Sequence, residues 1–128
     1  KRMEIEGRVL VVDDSLVVHK LIEMNLQRAG RIAVVTAKDG MEGLRCLTGD
    51  HFDLAFVDVN MPVMDGLTML RLYQQEGPEP KTPIVMVTTE GEDTAGVEAL
   101  RLGASGFVTK PIDGQALRAL AVELISKR

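Results

Sequence analysis

Leu54-Ala55-Phe56-Val57-Asp58-Val59-Asn60-Met61-Pro62-Val63-Met64-Asp65-Gly66 is the stretch on which the fold turns. The apolar run predicts a buried strand that stops at one carboxylate, after which Asn60, Pro62, Asp65 and Gly66 block a simple continuation. Asp58 therefore stands at a strand tip, and what it does depends on what the other strand ends bring to it.

Upstream, Arg8-Val9-Leu10-Val11-Val12 is a continuous β-branched run, as expected of a strand covered on both faces, and it ends in Asp13-Asp14-Ser15. Ser15 or Asp14 can cap a helix in which Val18, Leu21, Ile22, Leu26 and Ala29 recur at helical spacing, with Gly30 as its stop. Ile32-Ala33-Val34-Val35 predicts a second strand, and a short helix follows from about Met41 to Leu47. Downstream of the opening stretch, Leu67, Met69, Leu70, Leu72 and Tyr73 mark a third helix. The segment Gly77-Pro78-Glu79-Pro80-Lys81-Thr82-Pro83 is too rich in proline for helix or central strand and predicts an extended surface loop.

Ile84-Val85-Met86-Val87 predicts a fourth strand ending at Thr88-Thr89, then a helix from about Asp93 to Leu102 whose start, Glu90-Gly91-Glu92, is loose. Gly106-Phe107-Val108-Thr109 predicts a fifth strand running into Lys110-Pro111, and Asp113 caps a last helix through Leu117, Leu120, Ala121, Leu124 and Ile125. Strict alternation of strand and helix predicts an α/β fold: a doubly wound parallel sheet with helices on both faces, joined by right-handed crossovers. All strand C-terminal ends then lie along one edge, where open α/β sheets bind ligands.

Composition bounds the class. The chain has 128 residues, 45% apolar and 27% charged, which suits one soluble globular domain and excludes a disordered one. The expected domain covers residues 7–127, with a short extension at 1–6. No apolar run approaches the roughly 20 residues that cross a bilayer, and Lys1-Arg2 is followed by no signal-like apolar core, so the expectation is a cytoplasmic protein. A net charge of −4 gives no pull toward nucleic acid or anionic membrane. The single Cys46 excludes an internal disulfide and a cysteine-based zinc site, and it reads as a small hydrophobe.

The strand ends bring together Asp13 and Asp14 from the first strand, Asp58 from the third, Thr88 from the fourth and Lys110 from the fifth. Converging carboxylates repel unless a cation joins them, and an oxygen-only donor set favours magnesium or manganese. One lysine and one hydroxyl opposite suit an anion that also touches the metal, a phosphoryl group being the natural one.

Val11-Val12-Asp13-Asp14-Ser15, Asp39-Gly40, Asp58 through Gly66, Thr88-Thr89, Gly103-Ala104 and Lys110-Pro111 occur in the order found in receiver domains of two-component response regulators. Essentially the whole chain resembles that family, and is similar to its single-domain chemotaxis-type messengers. The resemblance implies a flavodoxin-like (βα)5 fold with strand order 2-1-3-4-5. It implies Asp58 as phosphoacceptor, attacking a phosphohistidine on a histidine kinase or histidine phosphotransfer protein. Mg²⁺ would be held by Asp13, Asp58 and the Asn60 backbone carbonyl, with Asp14 acting through water. Lys110 would neutralise a phosphoryl oxygen, and Thr88 would swing toward the phosphoryl group as Phe107 turns inward. The family usually has a cis peptide at Lys110-Pro111. Thr89 is bulkier than is common there, and Asn60 and Glu90 occupy positions that help set phosphoryl lifetime.

The implied protein is a signalling switch catalysing only its own phosphorylation and dephosphorylation. Its helix 4/strand 5/helix 5 face would control a protein target or a fused output domain, and phosphorylation-dependent homodimers are possible. Two rivals stand beside it: a phosphorylation-independent interaction module with a vestigial site, and an aspartate-nucleophile phosphatase, which would want Asp-x-Asp after the first strand.

Other residues have blander readings. Phe107 is open between core packing and a switch, and Asp65-Gly66 reads as turn chemistry. Met61 and Met64 flank the loop where a partner would touch, and His19 and His51 are expected on the surface.

Overall fold

The computed structural model describes residues 5–89 and 93–127. In chain order the elements are β1 (Ile5–Val12), α1 (Leu16–Gln27), β2 (Gly30–Ala37), α2 (Gly40–Gly49) and β3 (Leu54–Asp58). They continue with α3 (Gly66–Glu76), β4 (Ile84–Thr89), α4 (Asp93–Arg101), β5 (Gly106–Lys110) and α5 (Gly114–Lys127). The strands form one parallel sheet in the expected order β2-β1-β3-β4-β5.

The period-2 alternation of strand side chains divides the core. Val9, Val11, Leu54, Phe56, Val85 and Val87 face one side, where Ile22 and Leu26 of α1 and Leu117, Ala121 and Ile125 of α5 cover them. Leu10, Val12, Ala55, Val57, Ile84 and Met86 face the other, against Leu47 of α2, Met69, Leu70 and Tyr73 of α3, and Ala99 of α4. Burial on both faces is why these strands read as unbroken apolar runs.

Side-chain caps start the helices. Ser15 Oγ accepts from Val18 N–H, and Asp39 and Asp65 accept from Glu42 and Thr68 N–H at 2.8 Å. Asp113 accepts from Gln115 and Ala116 N–H, capping α5 as expected. Asp65 is thus a cap on α3, in line with its reading as turn and helix-start chemistry.

Three local expectations change. β1 and β2 run beyond their apolar centres, because the parallel pairing extends from Ile5–Gly30 to Val12–Ala37. On α1 the buried residues are His19, Ile22, Asn25 and Leu26, so the inward stripe lies to one side of Leu21, which is 37% exposed. The 77–83 loop is partly anchored: Thr82 is buried, donating its backbone N–H to the Tyr73 hydroxyl and its hydroxyl to the Phe52 carbonyl.

Cys46 is half-buried against the α2/α3 side of the core. Burial, followed by the Glu42 and Asp50 carboxylates, pushes its thiol up from the ordinary range. Among the described residues no helix is long and apolar enough to cross a membrane.

Candidate functional site

Parallel strands deliver their C-terminal ends to one edge, and the register sets the site there. Asp58 is the last residue of β3 and pairs with Val87, one residue before Thr88, while Thr89 pairs with Lys110 at the end of β5. Asp13 directly follows β1. Carboxylate oxygens of Asp13, Asp14 and Asp58 lie within 4.8 Å of one another, with Asp13 and Asp58 buried and Asp14 exposed.

Lys110 Nζ reaches into this cluster, 3.3 Å from Oδ1 of Asp58 and 3.4 Å from Oδ2 of Asp13. Burial and then the neighbouring Asp13 carboxylate push the Asp58 pKa up, although Lys110 and the Asn60 backbone N–H pull against them. Burial alone would lower the Lys110 pKa, but Asp58 and Asp13 more than offset it, and the ammonium is held above its ordinary range.

The chemistry of the donor set fits a hard divalent ion. Oxygen atoms are the only donors, and Asp13 Oδ2 is buried with no hydrogen-bond partner. A buried carboxylate oxygen without a hydrogen bond is costly, and here three clustered carboxylates stand against one Lys110 ammonium, so a cation would supply positive charge that the cluster lacks. Thr88 Oγ1 is likewise buried and unpartnered.

The family description "Response regulator receiver domain" matches residues 9–122. The chain belongs to this family. It is 35% identical over 112 residues to a chemotaxis protein CheY homolog of Campylobacter jejuni, covering 87% of this chain and 86% of that one. It is 43% identical over 122 residues to a protein-glutamate methylesterase/protein-glutamine glutaminase of Archaeoglobus fulgidus, covering 94% of this chain but 34% of that protein. The chain thus spans about a third of the length of the methylesterase relatives it matches. Among solved structures, Vibrio cholerae CheY4 superposes with a TM-score of 0.82 at 34% identity, covering 94% of this chain and 99% of that one. The receiver domain of Francisella response regulator 1452 superposes with a TM-score of 0.85 at 25% identity, over 94% and 98% of the two chains.

With the receiver family in hand, the remaining expected residues can be placed. Lys110-Pro111 is cis. Asn60 lies two residues beyond β3 and Thr89 ends β4, both exposed. Glu90, and the Glu90-Gly91-Glu92 segment expected to be loose, lie outside the described residues. Phe107 is 39% exposed, which decides against a core role in this structure, and its ring lies over Gly96 of α4. Met61 and Met64 are half-buried against the α2/α3 side of the core, whereas Val63 between them is 80% exposed. His51 is on the surface, paired with Asp53 at 3.2 Å.

His19 is the correction. Expected on the surface, it is 8% exposed, and its Nε2 lies 2.6 Å from the backbone carbonyl of Asp13. A polar residue in a helical pattern reads as solvent-facing, but here the helix start brings a buried carbonyl within reach. The available signal was spacing: His19 stands three and seven residues before Ile22 and Leu26, on their stripe.

Proposed function

We propose that this receiver domain is a Mg²⁺-dependent phosphorylation switch with Asp58 as phosphoacceptor. The observation that carries this reading is the buried Asp13–Asp58–Lys110 cluster, in which one carboxylate oxygen has no hydrogen-bond partner. Asp13, Asp58 and the Asn60 carbonyl would hold the ion directly, and Asp14 through water. Bound Mg²⁺ supplies positive charge against the phosphoryl oxygens. An Asp58 carboxylate oxygen attacks phosphorus, the P–N bond to the donor histidine breaks, and the imidazole leaves with the bonding pair, yielding an acyl phosphate. Lys110 neutralises a phosphoryl oxygen, so the reaction needs positioning and charge rather than a dedicated base. The unpartnered Thr88 hydroxyl has a free donor to offer the phosphoryl group.

The phosphodonor is a histidine kinase or histidine phosphotransfer protein. Leu16, Val17 and Met24 form an exposed apolar strip on α1, beginning directly after the Asp13-Asp14-Ser15 turn, and such a strip suits a helical partner. Readout falls to the α4/β5/α5 face, where Val97, Leu100, Phe107 and Val122 are exposed, toward a protein target, a fused output domain or a second copy. The domain turns over no external substrate and works in the cytoplasm. The phosphatase alternative is disfavoured because the nucleophile stands on β3 and Asp13-Asp14-Ser15 is not Asp-x-Asp.

A small phosphodonor tests this. Intact-mass measurement should show one phosphoryl adduct that requires Mg²⁺ and is lost in Asp58→Ala; an adduct surviving that substitution would overturn the assignment.

A further inference from the structure

Asp13 is held at three of its four polar atoms. Its backbone N–H donates to Ala37 O at 3.0 Å, its Oδ1 accepts from Ser15 N–H at 2.8 Å, and its carbonyl oxygen meets His19 Nε2 at 2.6 Å. The fourth atom is Oδ2, buried without a hydrogen bond beside Lys110. The tethers come from three directions: the neighbouring strand β2, the cap turn, and the first turn of α1, where His19 N–H also donates to Ser15 O at 3.1 Å.

A carbonyl oxygen can only accept, so Nε2 carries the hydrogen. That holds for the Nε2–H tautomer and for the cation alike, so the tie does not depend on the charge of the ring. His19 is the only side chain among these tethers. The other two groups are backbone: any residue except proline supplies the N–H at 15, and any residue supplies the carbonyl at 37. If the carbonyl were freed, rotation about the Asp13 Cα–C bond could carry the Ser15 N–H away from Oδ1, and with that hydrogen bond lost the carboxylate could turn and Oδ2 would lose its fixed aim.

We propose that His19 is a positioning residue for the metal site: by tying down the Asp13 carbonyl, it aims Asp13 Oδ2 at the ion. This rests on the reading of the acidic cluster as a Mg²⁺ site. Groups hydrogen-bonded to a ligating side chain are typically worth about 10- to 100-fold in metal affinity, and His19, which holds the backbone of the ligand instead, is expected at the low end of that range.

The test is isothermal titration of MgCl₂ into the parent, His19→Leu, His19→Gln and His19→Asn, with urea unfolding of each in EDTA. Leucine fills the space without a donor, glutamine places an amide N–H at a reach like that of Nε2, and asparagine falls short. We expect the Mg²⁺ Kd to rise roughly tenfold in His19→Leu and His19→Asn and to return to within about twofold of the parent in His19→Gln. Parent-like affinity in His19→Leu, or a loss that glutamine does not recover, overturns the proposal and leaves His19 as packing. Should His19→Leu fail to fold, the contrast between Gln and Asn decides alone, equal affinities counting against it. A parent that binds no Mg²⁺ overturns the site reading as well. A parent whose binding is lost in Asp13→Asn but unchanged in His19→Leu overturns only the positioning role.

Discussion

Lys110 Nζ lies 3.3 Å from Oδ1 of Asp58, so an ammonium stands directly against this buried carboxylate. The same ammonium stands 3.4 Å from Asp13 Oδ2. A divalent ion held by Asp13 and Asp58 would share both carboxylates with the lysine, and removing the lysine should separate their effects. In Lys110→Met, Mg²⁺ binding should tighten several-fold, because a competing cation is gone. Phosphorylation by a small donor should slow by roughly 10²-fold, since a charge at the developing phosphoryl oxygens is lost. Calorimetry and the initial rate of adduct formation measure the two, and a fall in both would show that Lys110 organises the carboxylates instead of competing for them.

Stability should depend on pH and on metal in a defined sense. The folded-state pKa of Asp58 is raised by burial and by Asp13, so the folded state binds a proton more tightly than the unfolded chain. Its ionisation therefore costs stability, and the cost grows as pH rises from the unfolded value through the folded one. Lys110 is also raised, so its favourable contribution is intact at neutral pH and is lost as pH climbs through its folded value, above 10.5. Urea unfolding in EDTA at pH 7 should thus find Asp58→Asn more stable than the parent. Mg²⁺ at 100 times its Kd should stabilise the parent by about 2.7 kcal/mol and the variant by much less. A variant less stable than the parent in EDTA would contradict the electrostatic account.

The site was legible in sequence because of one topological fact: parallel strands put residues far apart in the chain on a common edge. Asp13, Asp58 and Lys110 each follow or end an apolar run, so the ends of the runs mark the cluster. Strand ends were harder to see. Ile5, Glu6 and Gly7 join β1 only through pairing with Gly30, Arg31 and Ile32, and nothing in their own pattern announces it. His19 and Leu21 depart from the sequence expectation for a shared reason: polarity alone does not indicate the inward face of α1. The helix start instead turned the imidazole toward a buried carbonyl and left a leucine partly in solvent. Phe107 was undecidable because a partly buried edge strand suits an aromatic ring on either side.

Val63 has a φ of 71° and sits in a tight turn in which Met64 N–H donates to Pro62 O at 2.7 Å. A β-branched residue in that region is strained, by about 1–3 kcal/mol, and with most of its side chain in solvent Val63 has little packing to compensate. Asparagine tolerates positive φ far better. Val63→Asn should therefore raise stability by about 1 kcal/mol, read from the urea midpoint with an unchanged slope. A destabilised variant would mean that the exposed valine makes contacts worth more than the strain.

Gly96 lies in the interior of α4, where glycine costs about 1 kcal/mol relative to alanine. The Phe107 ring accounts for it: a Cβ on Gly96 would lie 2.9 Å from two ring carbons, closer than side chains approach. Gly96→Ala should consequently gain helix propensity and lose the seat on which the outward ring rests. The net change in stability should fall short of the ~1 kcal/mol expected from propensity alone. The ring must also move, and fluorophenylalanine labelling can follow it, because Phe52 and Phe56 are buried in the core and give two reference signals. We expect the Phe107 resonance alone to shift in Gly96→Ala, toward its position in the parent with Mg²⁺ and beryllofluoride. If the resonance stays where it is in the metal-free parent, the glycine does not hold the ring outward.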